Sequence, residues 1–238
     1  MLNFNDFLDN EDIITEGIHD KFIFKAFYLA GGPGSGKSWV AAKTLEGSGL
    51  KVVNSDDGFE RYANKAGLDL KQMGDFTKDQ TKLKDYLRDK SKRGTKKVLE
   101  YAVRGRLGLI LDSTARDTDR IEREQRAFES VGYDTYCVFV NTKIEIALKR
   151  NQNVDRGRPV PEHIVRKNWN IVQKNRAILM RMFGSNYVEV DNNEDLEYIN
   201  NQTFKAINRL KSSKYMKVAA QKWVANELEM KRLAGMKK

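Results

Sequence analysis

The stretch "YLAGGPGSGKSWV", Tyr28 to Val40, decides the fold. Gly31, Gly36, Lys37 and Ser38 fit the pattern G-x-x-x-x-G-K-[ST]. The apolar run Phe22 to Ala30 ahead of it predicts a strand, and the residues from Trp39 to Leu45 behind it predict a helix. Strand, glycine loop and helix in that order are the setting in which this pattern cradles phosphate. Gly31, Gly32, Gly34, Ser35 and Gly36 would turn backbone N–H groups onto phosphate oxygens, and the helix start adds the positive end of its dipole. Lys37 is expected to reach the β- and γ-phosphates and Ser38 to ligate Mg2+, so ATP and Mg2+ are the expected cofactors. A glycine-rich turn with a stray lysine is the plain competitor, and the flanking strand and helix speak against it.

Working outward, the chain has 238 residues, 40% hydrophobic, which suits one large α/β domain with appendages. Cys137 is the one cysteine, so neither a disulfide framework nor a cysteine-rich zinc site is available. No run approaches the ~20 apolar residues of a membrane span. The acidic start "MLNFNDFLDNEDIITEG" is no secretory signal, and a cytoplasmic location is expected. The net charge of +10 speaks to partners rather than to fold. Glu60 to Arg106 carries 14 Lys/Arg against 7 Asp/Glu, and Phe204 to Lys238 carries 10 against 2. A polyanionic partner, nucleic acid or nucleotide, accounts for both excesses; a solubilising surface is the bland alternative.

Along the chain, residues 1–20 read as an acidic leader, 21–192 as the main domain and 193–238 as a basic helical extension. "LKVVNSDD" reads as a short buried strand, Leu50 to Asn54, ending in two acids. Residues 58–106 read as a helical insertion, broken at Gly94–Thr95 with Thr95 as a cap. "RLGLILDST" is a second buried strand, ending at Asp112. A helix follows, with Asp119 and Glu122 at capping-box spacing, and then the strand "DTYCVFV". Thr142 and Glu145 suggest a further capping box for a helix through Arg150. Pro161 suits the first turn of a helix to about Met182, with Gly184 at its end and "NYVEV" as the last strand. Alternating strands and helices imply a parallel sheet with helices on both faces.

Ligands of open α/β sheets sit at the carboxyl ends of the strands, so the residues just after each strand carry the chemistry. Asp56 is placed to accept the proton of an attacking hydroxyl, and Asp57 is either an acceptor contact or only a helix-start acid. Asp112 resembles a Walker B strand end: it would hold Mg2+ through water or grip the acceptor, with Thr114 and Arg116 just beyond on the acceptor side. In "KRNQNVDRGRPVP", the arginines Arg150, Arg156 and Arg158 form a lid, 150–161, that would stabilise charge on the transferred phosphoryl group. His19 and His163 are too few and too far apart to suggest a catalytic or metal role.

Taken together, "GGPGSGKS", "NSDD", "LILDSTARD" and "RNQNVDRGRPVP" resemble, in order and spacing, the P-loop kinases of the polynucleotide kinase and zeta toxin group. The resemblance covers about Phe22 to Tyr187 and includes phage enzymes. It implies a three-layer α/β P-loop NTPase fold with a parallel sheet of order 2-3-1-4-5, ATP and Mg2+, an aspartate base after the second strand and lid arginines. Carried over, these are Lys37, Ser38, Asp56, and Arg156 or Arg158. The lid "RGRPVP" and the paired aspartates look more like the 5′-hydroxyl polynucleotide kinases. "LDSTARD" looks as much like zeta toxin, which phosphorylates a nucleotide sugar such as UDP-N-acetylglucosamine. The arginine that phage-type polynucleotide kinases carry three residues after the base is Phe59 here, and the nearest one is Arg61. Zeta-type chains usually carry glutamate where this chain has Asp112.

Two further readings concern the ends. The leader resembles the targeting peptides of phage internal head proteins, with a cleavage site after Ile14-Thr15-Glu16 and packaging in the virion as its consequence. An ordinary lead-in helix is the plainer reading and takes precedence. The basic C-terminal segment predicts a helix that packs Met216, Ala219, Ala220, Trp223 and Val224 on the domain. The sequence thus predicts a kinase acting on a hydroxyl of a nucleic acid or nucleotide. A nucleotide-sugar kinase and a DNA-binding ATPase or switch that transfers nothing are the alternatives.

Overall fold

In strand β1 (Lys25–Ala30), every side chain is buried, and the burial alternates between two faces. Ala26, Tyr28 and Ala30 enter one apolar cluster, and Phe27 and Leu29 enter another. That two-residue period makes β1 the centre of a sheet covered on both sides. The computed structural model describes residues 22–45, 49–152, 160–193, 201–214 and 217–235.

The remaining strands are β2 (Lys51–Val53), β3 (Leu109–Asp112), β4 (Asp134–Asn141) and β5 (Tyr187–Asp191). They form a five-stranded, all-parallel sheet of order β2-β3-β1-β4-β5. The helices are α1 (Lys37–Thr44), α2 (Ser55–Lys65), α3 (Lys78–Arg104), α4 (Thr118–Ser130), α5 (Ile144–Asn151), α6 (Glu162–Phe183), α7 (Asn201–Lys211) and α8 (Val218–Gly235). Ile121 and Phe128 of α4, Val172 and Leu179 of α6, Ala102 of α3 and Ala220 of α8 pack on one face. Val40 and Ala41 of α1, with Ile207 and Leu210 of α7, pack on the other. The expected three layers and strand order are therefore present.

The second half of the chain is tied to the sheet by a buried lysine. Lys25, 1% exposed, donates to the carbonyls of Lys211 (2.5 Å) and Ser213 (2.6 Å) at the end of α7. A cation there meets the negative end of the helix dipole. Burial lowers its pKa to about 8, against the pull of Asp134, which holds it up. In α8, Trp223 and Val224 join Ala220 on the core, with Trp223 edge-on to Phe24 at 5.4 Å, as the sequence predicts.

Several local expectations are corrected. The chain does not break at Gly94–Thr95: α3 runs unbroken for 27 residues. A helical glycine costs only about 1 kcal/mol, and the flanking lysines and arginines are good helix formers. The cap that starts α3 is Thr77, in a capping box with Gln80. Asp117, not Asp119, caps α4, accepting from the Arg120 N–H. Thr142 does not cap α5, whose N-cap Lys143 makes no side-chain cap bond; the Thr142 hydroxyl is spent on the Ser35 carbonyl instead. Strand β1 starts at Lys25 rather than Phe22, because Phe24 turns into left-handed backbone with φ 57°. The leader with its cleavage site, and Met216, lie outside the described residues.

Candidate active site

Register brings the functional ends together. Leu29 of β1 lies opposite Asp112 of β3, and Val53 of β2 lies opposite Leu111. The loop after β1, the start of α2 and the end of β3 therefore share the carboxyl edge of the sheet, where such folds bind ligands.

The loop between β1 and α1 has no room for side chains at its glycines. A Cβ on Gly34, at φ +78°, would run into the Ala147 carbonyl, and one on Gly36, at φ +87°, into Asn192 Nδ2. Both conformations also favour glycine intrinsically. Asn192 Nδ2 donates to the Ser35 carbonyl at 2.7 Å, and Trp169 Nε1 donates to the Thr142 carbonyl at 2.7 Å. Lys37 Nζ rests on the carbonyls of Gly31 (3.1 Å) and Gly32 (3.4 Å). The Ser35 hydroxyl is sealed from solvent and has no hydrogen-bond partner. A buried polar group without a partner is costly, so a phosphate oxygen brought into the cradle would satisfy it.

Asp56 sits in the first turn of α2, which Asn54 caps by accepting from the Asp56 N–H at 2.8 Å. Arg88 of α3 forms an ion pair with Asp56 Oδ1. Asp57 accepts from Asn54 Nδ2 at 3.0 Å and is exposed, as a helix-start acid would be. Asp112 has one carboxylate oxygen sealed from solvent with no partner. Burial raises its pKa from the ordinary value; Lys37 pulls it back and Asp56 pushes it further up. The Asp57 carboxyl is raised for the same first reason, and by Asp112 and Asp56, while Arg61 lowers it. Three aspartates from two strand ends thus act on one another beside the cradle lysine.

This arrangement fits the expected cofactors. Ser38 is exposed at the start of α1, and Asp112 offers an unpartnered carboxylate oxygen. Among the described residues no group of three His, Cys, Asp or Glu forms a ready metal cage. Mg2+ that arrives with a nucleotide needs none, since it keeps waters and takes phosphate oxygens.

Arg116 and Thr114 stand further out. Arg116 Nε donates to Thr114 Oγ1 and its Nη1 to Asn168 Oδ1 on α6, both at 3.1 Å. Asn175 holds the same loop by the carbonyls of Ala115 (2.9 Å) and Arg116 (3.0 Å). Arg150 Nη1 donates to the Asn192 carbonyl at 2.9 Å, on the flank of the cradle. Arg156 and Arg158 lie outside the described residues. Sequence reasoning missed Arg88, Asn192 and Trp169. Asn192 follows β5 in "VEVDNN", so the strand-end rule was the signal for it. Arg88 is one of ten cationic residues on α3, with nothing local to single it out.

The fold and cradle define a P-loop nucleotide-binding protein built on the P-loop kinase plan. More narrowly, the chain belongs to the family described as an AAA domain (AAA_33), whose model matches residues 27–179. Cytidylate kinase of Methanothrix thermoacetophila is 38% identical over 86 residues, 36% of this chain and 49% of that protein. The chain thus matches about half the length of this curated relative. Two solved structures share the fold. The Pnkp1/Rnl/Hen1 RNA repair complex is 17% identical with a TM-score of 0.50, covering 66% of this chain and 46% of that one. The PezAT toxin–antitoxin system of Streptococcus pneumoniae is 15% identical with a TM-score of 0.52, covering 88% and 87%.

Proposed function

We propose that this chain is an ATP-dependent kinase that transfers the γ-phosphoryl group to a hydroxyl of a nucleic acid or nucleotide. The observation that carries this reading is the meeting of Asp56, Asp112 and Lys37 at one sheet edge, each charge felt by another. A switch that only binds and hydrolyses ATP has no need of a carboxylate facing the acceptor side.

The residues divide the work as follows. The backbone of Gly31 to Gly36 and the Lys37 ammonium bind the phosphates and hold them in line. Asp56 takes the proton from the acceptor hydroxyl as its oxygen bonds to the γ-phosphorus. The bond from that phosphorus to the β–γ bridging oxygen breaks, and ADP leaves. Ser38 and Asp112 would hold Mg2+, which supplies charge neutralisation when bound. Arg156 and Arg158 are assigned to the lid, where they would offset phosphoryl charge and exclude water. Asp57, Arg61, Thr114 and Arg116 line the acceptor side. The cationic surface of α3, ten basic residues against four acidic, favours a polyanionic acceptor.

The cytidylate kinase likeness favours a second reading, in which the acceptor is the phosphate of a nucleoside monophosphate. Such an acceptor has no hydroxyl proton to lose, so it does not need Asp56 as base. Labelled ATP offered with 5′-hydroxyl oligonucleotides, nucleoside monophosphates and UDP-N-acetylglucosamine separates the readings. Label on a hydroxyl, lost in Asp56→Asn, supports the first. Label on a monophosphate that survives Asp56→Asn supports the second. Phosphate released only to water moves the assignment to an ATPase.

A further inference from the structure

We propose that Arg88 is an anion-binding residue for the acceptor, and that its ion pair with Asp56 is a lock which a phosphate on the acceptor opens. The proposal rests on the reading of Asp56 as the base.

Arg88 reaches Asp56 from a different helix, 32 residues along the chain. Its guanidinium lies over the Phe59 ring, 5.1 Å from the centroid. Stacking on an aromatic face fixes the plane of the guanidinium, and one Nη1–H is spent on Asp56. The side chains of the pair are 31% and 39% exposed, so the group stands at the rim rather than inside the protein.

The pair is not what joins the two helices. Phe59, Ala63, Leu68, Leu70 and Leu87 form their own apolar cluster between α2 and α3. The Ser91 hydroxyl donates to the Ser55 carbonyl at 2.7 Å, and Gly58 lets the helices approach so closely that a Cβ there would stand 2.6 Å from Ser91 Oγ. A half-exposed ion pair adds little to such a contact. Its chemical effect on Asp56 is larger. A cation against the carboxylate stabilises the ionised form and so weakens it as a base.

Exchange is what this geometry favours. A phosphate offers more charge than a carboxylate and a bidentate match to the arginine fork. Lys84 and Lys92 lie one turn to either side of Arg88 on the same stripe of α3, so an anion arriving there meets further positive charge. Lys84 is partly engaged, at 3.2 Å from Asp85. When the acceptor phosphate takes the guanidinium, Asp56 is left free to face the hydroxyl. A neutral acceptor leaves the lock closed. The site would thus select acceptors that carry a phosphate near the reacting hydroxyl.

The test uses the full chain with its P-loop saturated by a non-hydrolysable ATP analogue and Mg2+. Thymidine 3′-monophosphate, whose 5′-hydroxyl is free, and thymidine are titrated by calorimetry. Wild type should prefer the monophosphate, and Arg88→Met should lose at least tenfold in affinity for it while thymidine and the ATP analogue bind as before. Arg88→Lys should recover part of the loss. Asp56→Asn should tighten the monophosphate several-fold, because it releases Arg88; a merely structural pair gives no such gain. An unchanged monophosphate-to-thymidine ratio in Arg88→Met overturns the proposal, as does weaker monophosphate binding in Asp56→Asn or no preference in wild type. Failure of phosphoryl transfer to every hydroxyl, with Arg88-dependent binding intact, overturns the kinase reading and supports the anion site.

Discussion

Asn192 and Ser35 are 157 residues apart in sequence, and the Asn192 Nδ2 donates to the Ser35 carbonyl at 2.7 Å. The residue after the last strand therefore braces the phosphate loop from outside. Thr142 Oγ1 shares the same carbonyl at 3.1 Å, and Arg150 holds the Asn192 carbonyl. Asn192→Ala should keep the fold but loosen the loop. A lost buried hydrogen bond is worth about 1–2 kcal/mol. The expected outcome is an ATP affinity about tenfold weaker, read by calorimetry, with a smaller change in turnover.

Two glycines test opposite expectations. Gly34→Ala places a methyl group against the Ala147 carbonyl at a backbone angle that alanine avoids, so it should destroy nucleotide binding and lower the melting temperature. Gly94→Ala meets nothing within 4 Å in the middle of an unbroken helix. It should stabilise the protein by about 0.5–1 kcal/mol, a rise of about 2–4 °C per kcal/mol for a chain of this size. Differential scanning calorimetry on both variants checks the pair.

Asp112 gives a pH prediction. Burial raises its folded pKa above that of the unfolded chain, so between the two values the folded state binds more protons. Stability contributed by this group is present at low pH and is lost as pH rises through the folded pKa. At neutral pH its ionisation is a net cost. Asp112→Asn should remove that cost, raising the melting temperature of the nucleotide-free protein at pH 7 and flattening the fall in stability above pH 4. A cost of about 1 kcal/mol corresponds to a few degrees. The same variant should lose Mg2+-dependent nucleotide binding, so stability and activity should move in opposite directions.

The sheet order and the cradle were legible because their signals are local. "GGPGSGKS" carries its own backbone chemistry, and each strand end is marked by a polar residue after an apolar run. Asp56 and Asp112 were readable for that reason. The caps were read less well. Several residues near each helix start can cap it, and the choice between Asp117 and Asp119 depends on how the chain leaves β3. Thr142 was read as a cap because capping-box spacing is common, yet tertiary contact with Ser35 claimed its hydroxyl. Arg88 was invisible: its partner lies on another helix, and only the packing of Leu87 and Ser91 against α2 aims it at Asp56.

The most direct test is γ-phosphoryl transfer from labelled ATP to the acceptor panel by wild type and Asp56→Asn, with ATP affinity measured alongside. Removing a general base typically lowers such a rate about 10²–10⁴-fold. The account predicts label on a hydroxyl acceptor by wild type, a loss of that size in the variant, and ATP binding within about twofold of wild type. Transfer by Asp56→Asn at the wild-type rate would contradict it.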